Sequence, residues 1–334
     1  MESLPARIVS LVLGKSDEDF ETLIRDLFAY QYAHNAPYRR LCDYAGMTPE
    51  TVENWTEVPA VPAQAFRRFD LSCIPIASTA AVFFSSGTTA DRSSKHWFSD
   101  ESLELYEISL RTNYYSRFSR RDRLFAVMPN PLDAPHSSLS HMLGALDAEE
   151  FAGNDLTDFR IRLMAATEDS RPITLFGTAF GLMEMLSLGS VQLPLGSRVI
   201  ETGGFKGRYR ELPRDEFYHL LRDGLSVADS HCFSEYGMCE LTSQFYSQGE
   251  AGSFSGPRWI RTRCIDPITG RDAKSGSYGL LRHYDLTNLN SVGVLQTQDR
   301  AVIDDDGNFS LRGRAADAEL RGCSLTAEEL WSRS

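Results

Sequence analysis

The most informative stretch of the chain is Thr79-Ala-Ala-Val-Phe-Phe-Ser-Ser-Gly-Thr-Thr89, because an apolar run stops there abruptly at a turn rich in hydroxyls. The run Thr79–Phe84 favours a short buried strand. Glycine permits a close approach and a positive φ, so backbone N–H groups and hydroxyls can close around a polyphosphate. The residues predicted to do so are Ser85, Ser86, Gly87, Thr88 and Thr89. An ordinary polar turn is the alternative, and the pattern differs from the Walker loop of kinases and GTPases.

Outward from this turn, strand, glycine or proline turn, and helix recur through residues 79–245. This alternation predicts a parallel α/β sheet with covered faces. The predicted strands are 123–128, 173–177 and 198–202, and the predicted helices are 100–115, 180–188 and 215–224.

The two ends of the chain have a different texture. Residues 1–50 read as helical, with Asp17 as the cap of a segment whose apolar residues recur at the helical period through Gln31. Residues 58–62 read as a linker. After about residue 255 the pattern favours antiparallel β structure, with a hairpin turn at 266–270. The strands predicted there are 258–264, 279–284, 293–297 and 301–303.

Composition narrows the class of protein. The 334 residues carry a net charge of −12 and no basic run that would follow a phosphate backbone, so nucleic acid is not a predicted partner. The arginine-containing stretch 111–123 reads as a solvated helix end and loop. No apolar window is long enough to span a membrane, which predicts a cytoplasmic protein. The six cysteines show no CxxC pair and are expected to be reduced thiols.

Four further segments change the interpretation of the hydroxyl-rich turn. Each is weak alone, but their order and separations are more specific together. They are Gly203-Gly204 after a strand, Tyr236-Gly237-Met238-Cys239-Glu240, Thr297-Gln298-Asp299, and Gly313-Arg314-Ala315-Ala316-Asp317.

Together these motifs resemble the core of the acyl-adenylate-forming superfamily, in the branch that holds phenylacetate-CoA ligases and LuxE-like acyl-protein synthetases. The region Arg261–Asp299, with Asp285-Leu286-Thr287-Asn288 inside it, is particularly similar to that branch. The resemblance covers roughly residues 60–325. It implies an α/β adenylate-forming body with parallel α/β sheet layers and an antiparallel β portion. The mobile C-terminal domain of full-length relatives would be absent or reduced.

The resemblance also implies a role for each motif. The hydroxyl-rich turn resembles the loop that holds the β- and γ-phosphates. Glu240 matches the acid that helps to hold Mg²⁺, Asp299 the carboxylate that accepts from the ribose hydroxyls, and Arg314 an arginine near ribose and phosphate. The residues that would flank the adenine are Gly203, Gly204, Tyr236 and Gly237. The residue that would lie beside the substrate carboxylate is His136, and His96 and Trp97 are further candidates for the pocket wall.

Each of these assignments has a structural alternative. Asp299 would then be a turn acid, Glu240 a helix-terminal acid, Tyr236 a core aromatic and His136 a loop histidine. The sequence alone leaves both interpretations open.

The sequence departs from the superfamily pattern in two places. Ala90 and Asp91 stand where the phosphate loop usually has a further glycine. The catalytic lysine of full-length relatives has no counterpart after Asp317. LuxE-like proteins are short at the same end and resemble this chain in having a cysteine there, which would be Cys323. Arg321 beside it could lower the thiol pKa, although a buried structural cysteine is the alternative.

These features predict three segments: helical residues 1–75, a catalytic body at 76–312, and a tail at 313–334 with Cys323. The implied activity is ATP- and Mg²⁺-dependent conversion of a carboxylic acid, by family analogy a fatty acid, to acyl-AMP. Transfer to a thiol follows, either to Cys323 or onward to a protein acceptor such as a reductase or carrier protein. The alternatives are a CoA ligase, an enzyme that passes the adenylate to a carrier or amine, and a non-catalytic nucleotide-binding or scaffold protein.

Overall fold

The computed structural model describes residues 2–85, 93–203, 212–274 and 276–315. They group into two units. The first contains the described residues within 1–112, 238–243 and 256–334, and the second those within 113–237 and 244–255. The division predicted at residues 75 and 312 stays a prediction.

The described elements are numbered along the chain. The helices are α1 (Leu4–Val12), α2 (Phe20–His34), α3 (Ala36–Ala45), α4 (Asp100–Arg117), α5 (Ser138–Ala145), α6 (Leu156–Ala166), α7 (Ala179–Ser187) and α8 (Arg214–Leu225). The strands are β1 (Val61–Pro62), β2 (Ala81–Phe84), β3 (Lys95–Phe98), β4 (Arg123–Val127), β5 (Glu150–Phe151), β6 (Ile173–Thr178), β7 (Arg198–Thr202), β8 (Cys232–Tyr236), β9 (Phe245–Gln248), β10 (Ile260–Ile265), β11 (Gly279–Asp285), β12 (Val294–Ile303) and β13 (Phe309–Arg314).

The N-terminal helices of the first unit follow the predicted apolar period. The face of α2 that includes Leu23, Leu27 and Gln31 is buried. The predicted cap at Asp17 is wrong: Asp19 accepts from the backbone N–H of Thr22 and caps the helix. Asp17 instead lies within 3.4 Å of Arg258 as a fully exposed ion-pair partner.

The antiparallel portion of the first unit has the strand order β1-β12-β11-β10, with β13 paired to β12. Two sequence predictions are corrected here. The two strands predicted at 293–297 and 301–303 are one strand, β12, which begins at Val294. Its pairing with β13 shifts register between Asp299 and Ala301, so a bulge interrupts the alternation. The predicted linker contributes β1, which pairs in parallel with β12.

The strand that ends at the hydroxyl-rich turn is also placed differently from the prediction. β2 pairs antiparallel with β3 in a separate two-stranded sheet, so it does not belong to the parallel sheet. The short interval between Phe84 and Lys95 suits a hairpin, whereas a parallel pair needs a crossover of a dozen or more residues. Both strands lie in the first unit.

The second unit contains the predicted parallel sheet. Its order is β5-β4-β6-β7-β8-β9, and every pair is parallel except β8 with β9. The core joins apolar residues of these strands to α6, α7 and α8, including Phe159, Leu175 and Leu221. The α/β fold class with parallel and antiparallel portions is therefore confirmed.

Two further sequence expectations concern membranes and thiols. No helix in the described ranges is long and apolar enough to cross a membrane. The five cysteines in those ranges are buried and form no disulfide with one another.

Candidate active site

The turn 238–243, which follows β8 along the chain, contains the predicted metal-binding acid. Glu240 is buried, and burial raises the pKa of its carboxyl. A hydrogen bond from Ser94 lowers that pKa, as do the nearby charges of Arg67 and Arg314. Burial outweighs these groups, so the pKa is raised overall, although each of them favours the ionised carboxylate.

The backbone of the same turn is held by two side chains. Nδ1 of His96 donates to the Cys239 carbonyl oxygen at 2.7 Å, and Nδ2 of Asn288 donates to the Glu240 carbonyl oxygen at 2.9 Å. Burial lowers the pKa of His96 to about 4, so the imidazole is neutral at physiological pH. The candidate His96 therefore contacts the site through the backbone of the Glu240 turn.

The hairpin β2–β3 connects this turn to the start of the predicted phosphate loop. The backbone N–H of Ser94 donates to Oγ of Ser85 at 2.8 Å, and the backbone N–H of Ser85 donates to the Ser94 carbonyl oxygen at 3.0 Å. Since Ser94 also hydrogen-bonds to Glu240, the structure places Ser85 and Glu240 around one serine. The predicted residues Ser86, Gly87, Thr88 and Thr89 lie outside the described residues.

Trp97, a candidate for the pocket wall, and Lys95 on the same strand β3 contact one acid. Nζ of Lys95 lies 3.8 Å from Oδ1 of Asp70. The indole N–H of Trp97 donates to the same carboxylate oxygen at 3.2 Å. Lys95 and Trp97 therefore share Asp70 as a partner.

Asp299 and Arg314, the predicted ribose and phosphate contacts, face each other across the bulge between β12 and β13. Nε of Arg314 lies 3.2 Å from Oδ1 of Asp299, and the side chains are 63% and 17% exposed, respectively. The charge of Arg314 also lowers the pKa of Glu240. Ser85, Glu240, Asp299 and Arg314 all lie in the first unit.

A buried acid beside this region was quoted in the sequence motif but given no role. Asp285, at the end of β11, is fully buried and accepts hydrogen bonds from two residues of the Glu240 turn. Its Oδ2 accepts from the backbone N–H and the hydroxyl of Thr242, both at 3.1 Å. Its Oδ1 accepts from Ser243 Oγ at 2.9 Å and Thr287 Oγ1 at 2.7 Å.

The other predicted site residues lie in the second unit. Gly203 follows β7 with a φ of +62°, a conformation that favours glycine. The ring of Tyr236 is buried, with Phe245 and Phe254 centroids each at 5.9 Å. His136 is exposed in the turn before α5. Gly204 lies outside the described residues, so the proposed adenine contacts stay predictions.

The second unit also contains two buried acids that the sequence reasoning missed. Glu235, at the end of β8, accepts from the hydroxyl of Thr202, and burial raises its pKa to about 7. Burial also raises the pKa of Glu201 on β7. A Cβ on Gly237 would overlap the Glu235 carboxylate, which explains a glycine at that position. The sequence did contain a signal for these two residues, because each is an acid inside an apolar strand pattern.

The residues near Glu240 can be tested for their fit to Mg²⁺. Across the described ranges, no group of three or more His, Cys, Asp or Glu side chains could hold a metal ion. Mg²⁺ on a nucleotide commonly takes one or two carboxylates together with substrate phosphates, so it needs no all-protein cage. A single Glu240 carboxylate beside the predicted phosphate loop fits that kind of site.

The comparison with family models decides the family. Residues 159–331, more than half of the chain, match the family described as acyl-protein synthetase, LuxE. The chain belongs to this family. The resemblance inferred from the motifs is therefore confirmed.

A relative and two solved structures agree with this family. The long-chain-fatty-acid–luciferin-component ligase of Vibrio harveyi is 22% identical over 333 residues, which cover 93% of this chain and 87% of the relative. A 2-hydroxyisobutyryl-CoA ligase in complex with 2-HIB-AMP has a TM-score of 0.65 at 16% identity, over 88% of this chain and 67% of that one. An ATP-bound RpMatB–BxBclM chimera has a TM-score of 0.50 at 18% identity, over 72% of this chain and 49% of the chimera.

The structural similarities show a shared fold with adenylate-forming ligases. Family and fold together support acid activation by adenylation. The roles of the individual site residues stay predictions.

Proposed function

We propose that this chain uses ATP to convert a fatty acid to its acyl adenylate and then transfers the acyl group to a thiol, as an acyl-protein synthetase. The observation that carries the proposal is the grouping of Ser85, Glu240, Asp299 and Arg314 in the first unit. Ser94 hydrogen-bonds to Ser85 and lowers the pKa of Glu240, and the charge of Arg314, which pairs with Asp299, lowers that pKa as well. The family, and the ligation of a long-chain fatty acid that names the Vibrio harveyi relative, support the same activity.

In the first half-reaction, a carboxylate oxygen of the acid forms a bond to the α-phosphorus of ATP. The bond between that phosphorus and the bridging α–β oxygen breaks, and pyrophosphate leaves. Glu240 would hold Mg²⁺, which when bound offsets negative charge on the phosphates. Arg314 adds positive charge, and Asp299 accepts from the ribose hydroxyls. Positioning and electrostatics are then the main contributions of these residues.

In the second half-reaction, a thiolate sulfur attacks the carbonyl carbon of the adenylate. The bond from that carbon to the AMP oxygen breaks, a thioester forms, and AMP leaves. We propose Cys323, which lies outside the described residues, as the thiol.

Four of the five described cysteines are poorly suited to this step, which supports the proposal. Burial raises the pKa of the Cys42, Cys73 and Cys232 thiols to about 12 and that of Cys264 to about 11. A thiolate is the reacting species, so such thiols react slowly near neutral pH.

The first half-reaction is tested by acid-dependent exchange of labelled pyrophosphate into ATP. A panel of fatty, short hydroxy and aryl acids would be compared with a no-acid control. We expect exchange that requires Mg²⁺ and is fastest with a fatty acid. A complete lack of exchange with every acid would contradict the activity and favour a non-catalytic nucleotide-binding or scaffold role.

The acyl acceptor is tested with Cys323→Ser, using Cys42→Ser as the matched control. The first variant should lose a covalent acyl label that hydroxylamine releases, yet retain pyrophosphate exchange. The control should keep both. An acyl label that survives in Cys323→Ser would contradict the role of this cysteine.

A CoA ligase is the second candidate, favoured by the fold shared with a 2-hydroxyisobutyryl-CoA ligase. Undiminished acyl-CoA formation by Cys323→Ser would support it. Transfer to an amine or to a reductase or carrier protein would be revealed by adding each acceptor to the labelled enzyme.

A further inference from the structure

The connection between β11 and β12 is a buried polar segment that touches both the Glu240 turn and the N-terminal helix α2. Asp285, Thr287, Asn288, Asn290 and Ser291 are all buried. Buried polar groups are normally hydrogen-bonded, because an unsatisfied buried group destabilises the fold. The partners of this segment therefore indicate what it holds in place.

Asn288 provides the contact with the Glu240 turn. Its Nδ2 donates to the Glu240 carbonyl oxygen at 2.9 Å. His96 holds the preceding carbonyl group, because its Nδ1 donates to the Cys239 carbonyl oxygen at 2.7 Å. Two consecutive carbonyl groups of the turn are thus fixed by side chains, one from this connection and one from β3.

Gln31 on α2 provides the contact with the other side of the connection. Its Nε2 donates to the carbonyl oxygens of Asn288 at 2.7 Å and Leu289 at 3.1 Å. Its Oε1 accepts from the backbone N–H of Gly293 at 2.7 Å. A Cβ on Gly293 would lie only 2.8 Å from a methyl group of Leu27, so the close approach of helix and connection requires glycine.

We propose that Asn288 and Gln31 are positioning residues for Glu240. Two buried amides in series, Gln31 to the Asn288 backbone and Asn288 to the Glu240 backbone, hold the acid in place from the N-terminal helix. This inference rests on the proposed function and deepens it. It assigns the α2 helix a part in the activity, although Gln31 touches no reacting atom.

A second pair of residues offers a matched control. Tyr30, beside Gln31 on α2, donates its hydroxyl to Oδ1 of Asn290 at 3.1 Å. Nδ2 of Asn290 donates to Ser99 Oγ at 2.7 Å. This pair joins the same helix to the same connection through part-buried contacts, and neither hydrogen bond involves the Glu240 turn.

The activity test is a double-mutant cycle on the full chain. Asn288→Ala should lower the kcat of pyrophosphate exchange about ten-fold, with less than about a two-fold change in the KM for ATP. In a Glu240→Gln background the same substitution should change kcat by less than about two-fold, because its effect passes through Glu240. Asn290→Ala should have the same small effect in both backgrounds. An equal loss of kcat for Asn288→Ala in the wild-type and Glu240→Gln backgrounds would overturn the inference.

A structural test distinguishes failure of this inference from failure of the proposed function. Amide hydrogen exchange in residues 238–243 should be about ten-fold faster in Asn288→Ala and should be unchanged in Asn290→Ala. Unchanged protection in Asn288→Ala would overturn the positioning role, whether or not the wild type exchanges pyrophosphate. Lost protection in a chain without exchange would support the positioning role and contradict only the activity.

Gln31→Glu keeps the test decisive if Asn288→Ala does not fold. It retains the acceptor for Gly293 and removes the donor to Asn288 and Leu289. We expect faster exchange at 238–243 and a kcat loss that vanishes in the Glu240→Gln background. Tyr30→Phe is its control, and equal effects of the two substitutions would overturn the inference.

Discussion

Glu235 and Glu240 lie on either side of the Tyr236-Gly237 sequence, and both are buried, yet their surroundings differ. Burial raises the pKa of Glu235 to about 7; the Thr202 hydroxyl opposes that shift and the neighbouring acid Glu201 adds to it. For Glu240, burial also raises the pKa, but the Ser94 hydroxyl, its own backbone N–H and two arginines act against that shift. The first acid is therefore about half protonated near pH 7, whereas the rise in the pKa of the second is opposed by two arginine charges.

The difference shows that burial alone does not identify a functional acid. A metal or phosphate site needs a carboxylate that remains ionised beside groups able to balance charge. The Glu240 region has such groups, whereas the Glu235 region pairs two acids. Substitutions at the two acids and at their neighbours test this distinction.

The largest expected effect is that of Glu240→Gln on adenylation. Loss of one charge-stabilising group in an active site typically lowers kcat about 100- to 1,000-fold, and we expect pyrophosphate exchange to fall by that amount. Glu235→Gln is the control and should change the rate by less than about three-fold. Equal losses in the two variants would remove the distinction between the two acids.

The next effect concerns Asp285, a buried acid whose charge is supported by donors alone. Asp285→Asn should lower the free energy of unfolding by about 2–3 kcal/mol, because an amide N–H₂ would face the donors of Thr242 or Thr287. Urea denaturation measures this change. Asp304→Asn is the control, since that exposed turn acid also accepts several hydrogen bonds and its loss should cost less than about 1 kcal/mol.

Part of the fold and of the candidate site could be predicted from the sequence. The parallel strands β4, β6 and β7 were predictable, because apolar runs end there at glycine, proline or a helix cap. The motif spacing also singled out Glu240 and Asp299. The pairing partner of a strand was harder to predict. The sequence of β2 favours a strand, but its hydrophobic period does not reveal that it pairs with β3 in a hairpin.

Long-range contacts account for what was missed at the site. Nothing local to Gln31 or Asn288 indicates that their amides meet the same connection, since the contact depends on α2 packing against residues 288–293. The raised pKa of Glu235 likewise depends on burial that no single segment reveals. The apolar patterns of the core could therefore be predicted from the sequence, whereas the pKa shifts of individual acids could be determined only from the folded structure.

A third effect is the pH dependence of stability caused by Glu235. Its pKa is about 7 when folded and about 4.5 when unfolded, so the folded state binds the extra proton between those values. Stability must therefore fall as pH rises through this window. Glu235→Gln should remove that fall and stabilise the chain by about 2 kcal/mol at pH 8.

Urea denaturation at pH 5 and pH 8 would measure the Glu235 contribution. Glu184→Gln, an exposed substitution on α7, should keep the wild-type difference between the two pH values. A Glu235→Gln variant with the wild-type slope would contradict the proposed state of this acid.

The smallest effect is that of Arg314→Ala. Its ion pair with Asp299 is largely exposed and should contribute less than about 1 kcal/mol to folding. The proposed phosphate contact should instead raise the KM for ATP about ten-fold. Because Arg314 lowers the pKa of Glu240, its removal should also move the acidic limb of the pH–rate profile to higher pH. Arg312→Ala, two residues earlier on β13, should leave both quantities unchanged.

The most direct measurement follows oxygen from the acid into AMP. A fatty acid labelled with ¹⁸O in its carboxyl group is incubated with the full chain, ATP, Mg²⁺ and hydroxylamine, and the AMP is analysed by mass spectrometry. Attack of the carboxylate on the α-phosphorus, followed by acyl transfer, predicts one ¹⁸O atom in each AMP formed. Unlabelled AMP, or ADP with the label in orthophosphate, would contradict adenylation by this chain.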